Sequence, residues 1–130
     1  MKVARFRTND GTITFGVLDE SEDGKEIELV ELVADPIVAG YEGTGRRFKF
    51  AEVTLLAPVI PRSKIVCVGK NYADHVAEMQ ARGMGGEAPA DPLLFLKPNT
   101  AVIGPEDVIV RPEVSNQVEF EGELAVVIGA

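Results

Sequence analysis

Short apolar runs, each closed off by Gly, Pro, Asn or Asp, recur along the whole sequence, and only one stretch carries a convincing helical period. A chain of this kind can bury its hydrophobic side chains only by pairing strands, so the fold class is α+β and mainly β. The opening segment reads as antiparallel sheet. Residues 2–7 and 12–18 are strand-like and are joined by Asn9-Asp10-Gly11, a strong hairpin signal. A second turn follows at Asp23-Gly24, and residues 26–33 (EIELVELV) alternate charged and apolar positions in their first half. That alternation suits a half-buried strand, with a helix left open. Pro36, Gly40, Gly43 and Gly45 predict a loop or one short helical turn over residues 35–45, before another strand pair.

VTLLAPVIP closes this section, and Pro58 and Pro61 bracket a linker. Beyond it the composition shifts from polar hairpins to dense apolar runs, which places a boundary near residue 60: a small β domain over 1–60 and a second domain over 61–130. IVCVG (65–69), LLFL (93–96), AVI (101–103), VIV (108–110) and LAVVI (124–128) are its expected strands. The one helix starts at Asn71 as N-cap, with Asp74 near its positive end, and stops at Gly83. Residues 83–92 (GMGGEAPADP) form either a mobile lid continuing from that helix or an ordinary surface loop.

Charge and hydropathy exclude several functions. With 13 Lys+Arg against 21 Asp+Glu, the net charge of −8 repels phosphate backbones and anionic membranes, which argues against nucleic acid or a membrane as partner. No apolar run reaches the ~20 residues that span a bilayer, and the N-terminus alternates where a signal peptide would be apolar, so the expected location is the cytoplasm. The single cysteine, Cys67, lies within IVCVG and reads as a buried, inert thiol of a reducing compartment.

Three features could carry chemistry. In VEFEGELAVVIG (118–129) a strand would put Glu119, Glu121 and Glu123 on one face, with Val118, Phe120, Leu124 and Val126 on the other. Same-face residues lie only ~7 Å apart along a strand, so the charges need water, protonation or a hard divalent cation such as Mg²⁺ or Mn²⁺. Gly122 fits a close backbone approach, and the alternative is a solvated strand face. On the helix, His75 and Glu78 at i and i+3 can share one solvent volume while Tyr72, Val76 and Met79 face the body. Such a pair can move a proton near neutral pH, but Glu78 can equally pair with Arg82 at i+4 and leave His75 an ordinary surface residue. Lys97 emerges at the end of LLFL, either as an anion-binding group or as a solvated strand end.

Taken together and in order, IVCVGKNYADHVAEM, FLKPNT and VEFEGELAVVIG resemble the successive signatures of the fumarylacetoacetate hydrolase family. The resemblance covers residue 60 or so to the end, and the preceding segment is similar to the small N-terminal domain of many bacterial members. It implies a mixed β-sandwich roll, usually dimeric, that uses magnesium or manganese to chelate a small 2-oxo acid and then hydrolyses, decarboxylates or isomerises it. It further implies Glu121 and Glu123 as metal ligands, His75 and Glu78 as the catalytic dyad, and Lys70, Tyr72 and Lys97 as substrate contacts. Glu119 stands where the family often has Asp or His. The family's third metal ligand, a downstream aspartate, has no counterpart before Ala130, so the expectation is an N-terminal portion of a protein roughly twice as long. The rival expectation is a non-catalytic β-rich ligand-binding or assembly module, stable at this length and indifferent to divalent cations.

Overall fold

The protein is described from a computed structural model that covers every residue except Gly85, Ala88 and Ala130. It is mainly β, with antiparallel strand pairs throughout and two α-helices among the described residues. Two compact units are distinguished: residues 1–59 together with 103–130, and residues 60–102.

In the first unit, β1 (Val3–Arg7) and β2 (Ile13–Glu20) form the hairpin that the Asn-Asp-Gly turn predicts. Asp10 fastens the turn by accepting hydrogen bonds from the Thr8 hydroxyl and from the Thr12 amide at 3.0 Å. These bonds favour the ionised carboxylate, the Thr8 bond most, and hold its pKa down at about 2. β3 (Ile27–Leu32) settles the 26–33 ambiguity as strand, pairing with β2 from Phe15↔Leu32 to Glu20↔Ile27. The first helix, α1 (Pro36–Ala39), is the single turn expected within 35–45, capped by the Asp35 carboxylate on the Ile37 amide. β4 (Gly43–Lys49) and the short β5 (Thr54–Leu55) complete a five-stranded sheet in the order β4-β3-β2-β1-β5.

Register decides which side chains meet. Phe6, Leu29 and Phe48 fall on one face, and Phe6 and Leu29 are fully buried. The Phe6 and Phe48 rings stand edge to face at 5.5 Å. Gly16 lies beneath them: a Cβ there would sit 3.0 Å from the Phe6 ring and 3.1 Å from the Val30 carbonyl oxygen. On the same face Glu31, only 5% exposed, accepts from the Thr44 hydroxyl at 2.6 Å and from Arg46 at 3.4 Å. The opposite face carries Arg47, which clasps Asp19 of β2 and Glu28 of β3.

In the second unit, β6 (Lys64–Gly69) pairs with β7 (Leu93–Pro98) from Lys64↔Pro98 to Gly69↔Leu93. Between them runs α2 (Ala73–Ala81). Cys67 on β6 is half-buried rather than enclosed, because this two-stranded sheet covers little of either face.

Several sequence expectations fail beyond β7. Residues 99–101 form a 3-10 turn where AVI was expected to begin a strand, and neither VIV (108–110) nor LAVVI (124–128) joins a ladder. Strand propensity specifies a run that can pair, but the ladder itself needs a neighbour. Among the described residues no segment pairs with either run. Phe120 is consequently 97% exposed, and a Cβ on Gly122 would meet nothing within 4 Å, which removes the expected close backbone approach. The segment does have some anchors: Gly104 donates to Asp107 at 2.7 Å and lies against Leu55 and Ala57.

Candidate functional site

The chain leaves β6 through Lys70, whose backbone lies in the left-handed region at φ 55°, the only non-glycine residue with positive φ among those described. Such a conformation costs a residue with a Cβ roughly 1 kcal/mol and is found where surrounding structure imposes it. The first helical bond of α2 runs from the Val76 amide to the Tyr72 carbonyl, which places the N-cap at Tyr72 and not at Asn71. Val76 is buried and Met79 half-buried, so the apolar stripe points inward as its spacing predicts, while Tyr72 stays 43% exposed. Asp74 occupies the first turn.

The far end of α2 is closed by two bonds, from the Gly83 amide to the Gln80 carbonyl at 2.9 Å and from the Met84 amide to the Met79 carbonyl at 2.8 Å. This paired closure requires a left-handed residue at Gly83, where φ is 71°. The expected stop at Gly83 is therefore explained by a specific cap. Part of the 83–92 segment, Gly85 and Ala88, lies outside the described residues.

His75 and Glu78 are both exposed on α2, as the i, i+3 spacing requires. Glu78 is held by Arg82, which donates from Nη2 to Oε1 at 2.5 Å. The alternative partner weighed from the sequence is thus present. Both side chains are more than half exposed, so the pair adds little stability, ~0.5 kcal/mol or less. On β7, Lys97 is exposed, with its Nζ 5.8 Å from the centre of the Phe95 ring. Sequence reasoning missed this aromatic seat, although the i, i+2 spacing on a strand signals it.

Glu121 and Glu123 are exposed on the unladdered segment of the first unit. Glu119 accepts a hydrogen bond from the Gln117 side-chain amide, which gives it a local partner of its own. Carboxylate oxygens suit a hard divalent cation, and two from a Glu-x-Glu pair can enter its ligand sphere together. No group of three or more His, Cys, Asp or Glu able to hold a metal is found among the described residues.

Residues 64–130 match the fumarylacetoacetate (FAA) hydrolase C-terminal domain, and residues 1–58 match the domain described as Rv2993c-like, N-terminal. The chain belongs to the fumarylacetoacetate hydrolase family.

It is 46% identical over 129 residues to Protein Rv2993c of Mycobacterium tuberculosis, across 99% of this chain and 46% of that protein. It is 48% identical over 79 residues to the mitochondrial oxaloacetate tautomerase FAHD2A of Bos taurus, across 61% of this chain and 24% of that protein. Among solved structures it resembles 5-carboxymethyl-2-hydroxymuconate delta-isomerase from Mycobacterium smegmatis, at 38% identity and a TM-score of 0.59, across 79% of this chain and 35% of that one. The chain spans less than half the length of each of these relatives. No helix among the described residues is long and apolar enough to cross a membrane.

Proposed function

We propose that the protein acts on small 2-oxo acids by moving a proton at the carbon next to the 2-oxo group, with a divalent cation assisting. The observation that carries this reading is the 48% identity to an oxaloacetate tautomerase, together with an exposed helix that bears the chain's only histidine and, three residues on, a glutamate. Tautomerisation and isomerisation lead among the possible outcomes, because two of the relatives are named as a tautomerase and an isomerase; hydrolysis of an acylpyruvate and decarboxylation of oxaloacetate use the same activated carbon.

His75 is the proton-moving group. Its imidazole takes the proton from C3 of the substrate, the C–H electron pair becomes the C2=C3 bond, and the C2=O π pair moves onto the 2-oxo oxygen, which takes a proton from water to give the enol; the enol-to-keto conversion is the reverse of these steps. Glu78 is the carboxylate that supports the imidazolium formed in that step. Lys97, Lys70 and Tyr72 are the proposed substrate contacts, although the register sets Lys97, opposite Ile65, at one end of the β6–β7 ladder and Lys70, just past Gly69, at the other. Glu121 and Glu123 would hold Mg²⁺ or Mn²⁺, which when bound supplies Lewis-acid stabilisation of negative charge on the 2-oxo group. The reading extends to a homodimer in the cytoplasm, with neither nucleic acid nor membrane as partner.

The test is the rate of enol-to-keto conversion of oxaloacetate, and of loss of an acylpyruvate, by the native protein with Mg²⁺ or Mn²⁺ and with a chelator. Chelator-sensitive turnover that falls about 10²-fold or more in His75→Ala is the expected result. Turnover unchanged in His75→Ala removes the dyad, and no turnover of any 2-oxo acid favours the non-catalytic module.

A further inference from the structure

Lys70 combines three features that are unusual for a lysine. Its backbone is left-handed at φ 55°, whereas every other described residue with positive φ is a glycine: Gly11, Gly24, Gly40, Gly45 and Gly83. A side chain at such a position strains the backbone, and glycine would remove the strain. Gly69, just before it, answers a different demand, since a Cβ there would lie 3.2 Å from the Leu93 side chain across the ladder. Lys70 is also half-buried, and among the described residues no carboxylate pairs with its ammonium, in contrast to Lys2 with Glu20 and Lys25 with Asp23. A lysine withdrawn from water is ordinarily paired.

We infer that the chain keeps a strained backbone at residue 70 for the sake of the ammonium, which binds the carboxylate of a small organic acid. The inference deepens the proposed function and takes its ligand class from that reading. Strain of this kind persists where a side chain is needed for function, and a residue so held trades stability against binding. Lys64, at the other end of β6, supplies the contrast: it is exposed, and its backbone is that of an ordinary strand. Glycine and alanine should therefore rank in opposite order at the two positions.

The experiment measures melting temperature, with and without malonate, for the wild type, Lys70→Gly, Lys70→Ala, Lys70→Arg, Lys64→Gly and Lys64→Ala, at an ionic strength held constant with sodium chloride. Lys70→Gly should melt above Lys70→Ala, because only glycine relaxes a left-handed backbone; Lys64→Gly should melt below Lys64→Ala, because glycine weakens a strand. Malonate should raise the melting temperature of the wild type saturably. The malonate concentration that gives half of the rise should increase about 10-fold or more in Lys70→Gly and Lys70→Ala, the scale of a lost charge-assisted hydrogen bond. In Lys70→Arg and both Lys64 variants it should change by less than about threefold.

Three results overturn the inference: an alanine variant at 70 that is at least as stable as the glycine variant, no malonate-specific rise in the wild type, or an unchanged malonate response once Lys70 is glycine or alanine. Turnover assays on the same proteins separate the two readings. The expected melting pattern without turnover of any 2-oxo acid upholds the role of Lys70 and removes the proposed function; turnover without that pattern does the reverse.

Discussion

The sheet of residues 1–59 and the segment of residues 103–129 are both rich in branched apolar side chains, yet only the first buries them. β3 (IELVEL) and LAVVI (124–128) have comparable strand propensity. Leu29 of β3 is fully enclosed, whereas Phe120, just ahead of LAVVI, is almost wholly open. The difference lies in the neighbours: β3 has β2 on one side and β4 on the other, and residues 103–129 have no ladder partner among the described residues. Burial here follows strand pairing, and local sequence alone does not secure it.

Matched substitutions can break that comparison. Phe6→Ala should cost about 3–5 kcal/mol of unfolding free energy, while Phe120→Ala should stay within about 0.5 kcal/mol, both read from denaturant titration. Equal costs would mean that Phe120 is packed in solution and that the contrast is unreal. A glycine pair sharpens it next. Gly16→Ala forces a methyl against the Phe6 ring and the Val30 carbonyl and should cost about 1–3 kcal/mol. Gly122→Ala enters open space and should be close to neutral in the same titration.

Glu31→Ala follows in size. It strips a buried acceptor from Thr44 and Arg46, and about 1–2 kcal/mol should be lost, since Arg46 can turn to water. The smallest effect belongs to Asp10. Its folded pKa, about 2, lies below the unfolded carboxylate value, so its contribution is complete above about pH 4. That contribution is lost as pH falls toward 2, and Asp10→Asn should flatten this part of the stability curve in an acid titration.

The same contrast explains how much was legible beforehand. Asn9-Asp10-Gly11 announced its hairpin because turn chemistry is local, and Val76 and Met79 announced the inner face of α2 because helical spacing is local. The Asn71 cap was misplaced by one residue, since nothing in the sequence signals the left-handed backbone at Lys70. The strands expected at 108–110 and 124–128 failed for the opposite reason: their apolar content is local, but the partner that would make a ladder is not. For the candidate site, the sequence supplied His75, Glu78, Lys97, Glu121 and Glu123 as residues of the right chemistry. The seat of Lys97 over Phe95 and the grip of Arg82 on Glu78 became definite only with coordinates.

The two margins of the five-stranded sheet have a consequence for solubility. A strand at the rim of a sheet offers unpaired amides and carbonyls to any passing chain, and a long, apolar, flat rim invites filament growth. Here one rim is β5, only two residues long. The other is β4, whose Arg46 and Arg47 are engaged with acidic groups on β3 and β2. A strand docking from outside would have to desolvate those ion pairs or abandon them. Neither rim is a good template, so self-association of this protein should not begin by extension of the N-terminal sheet.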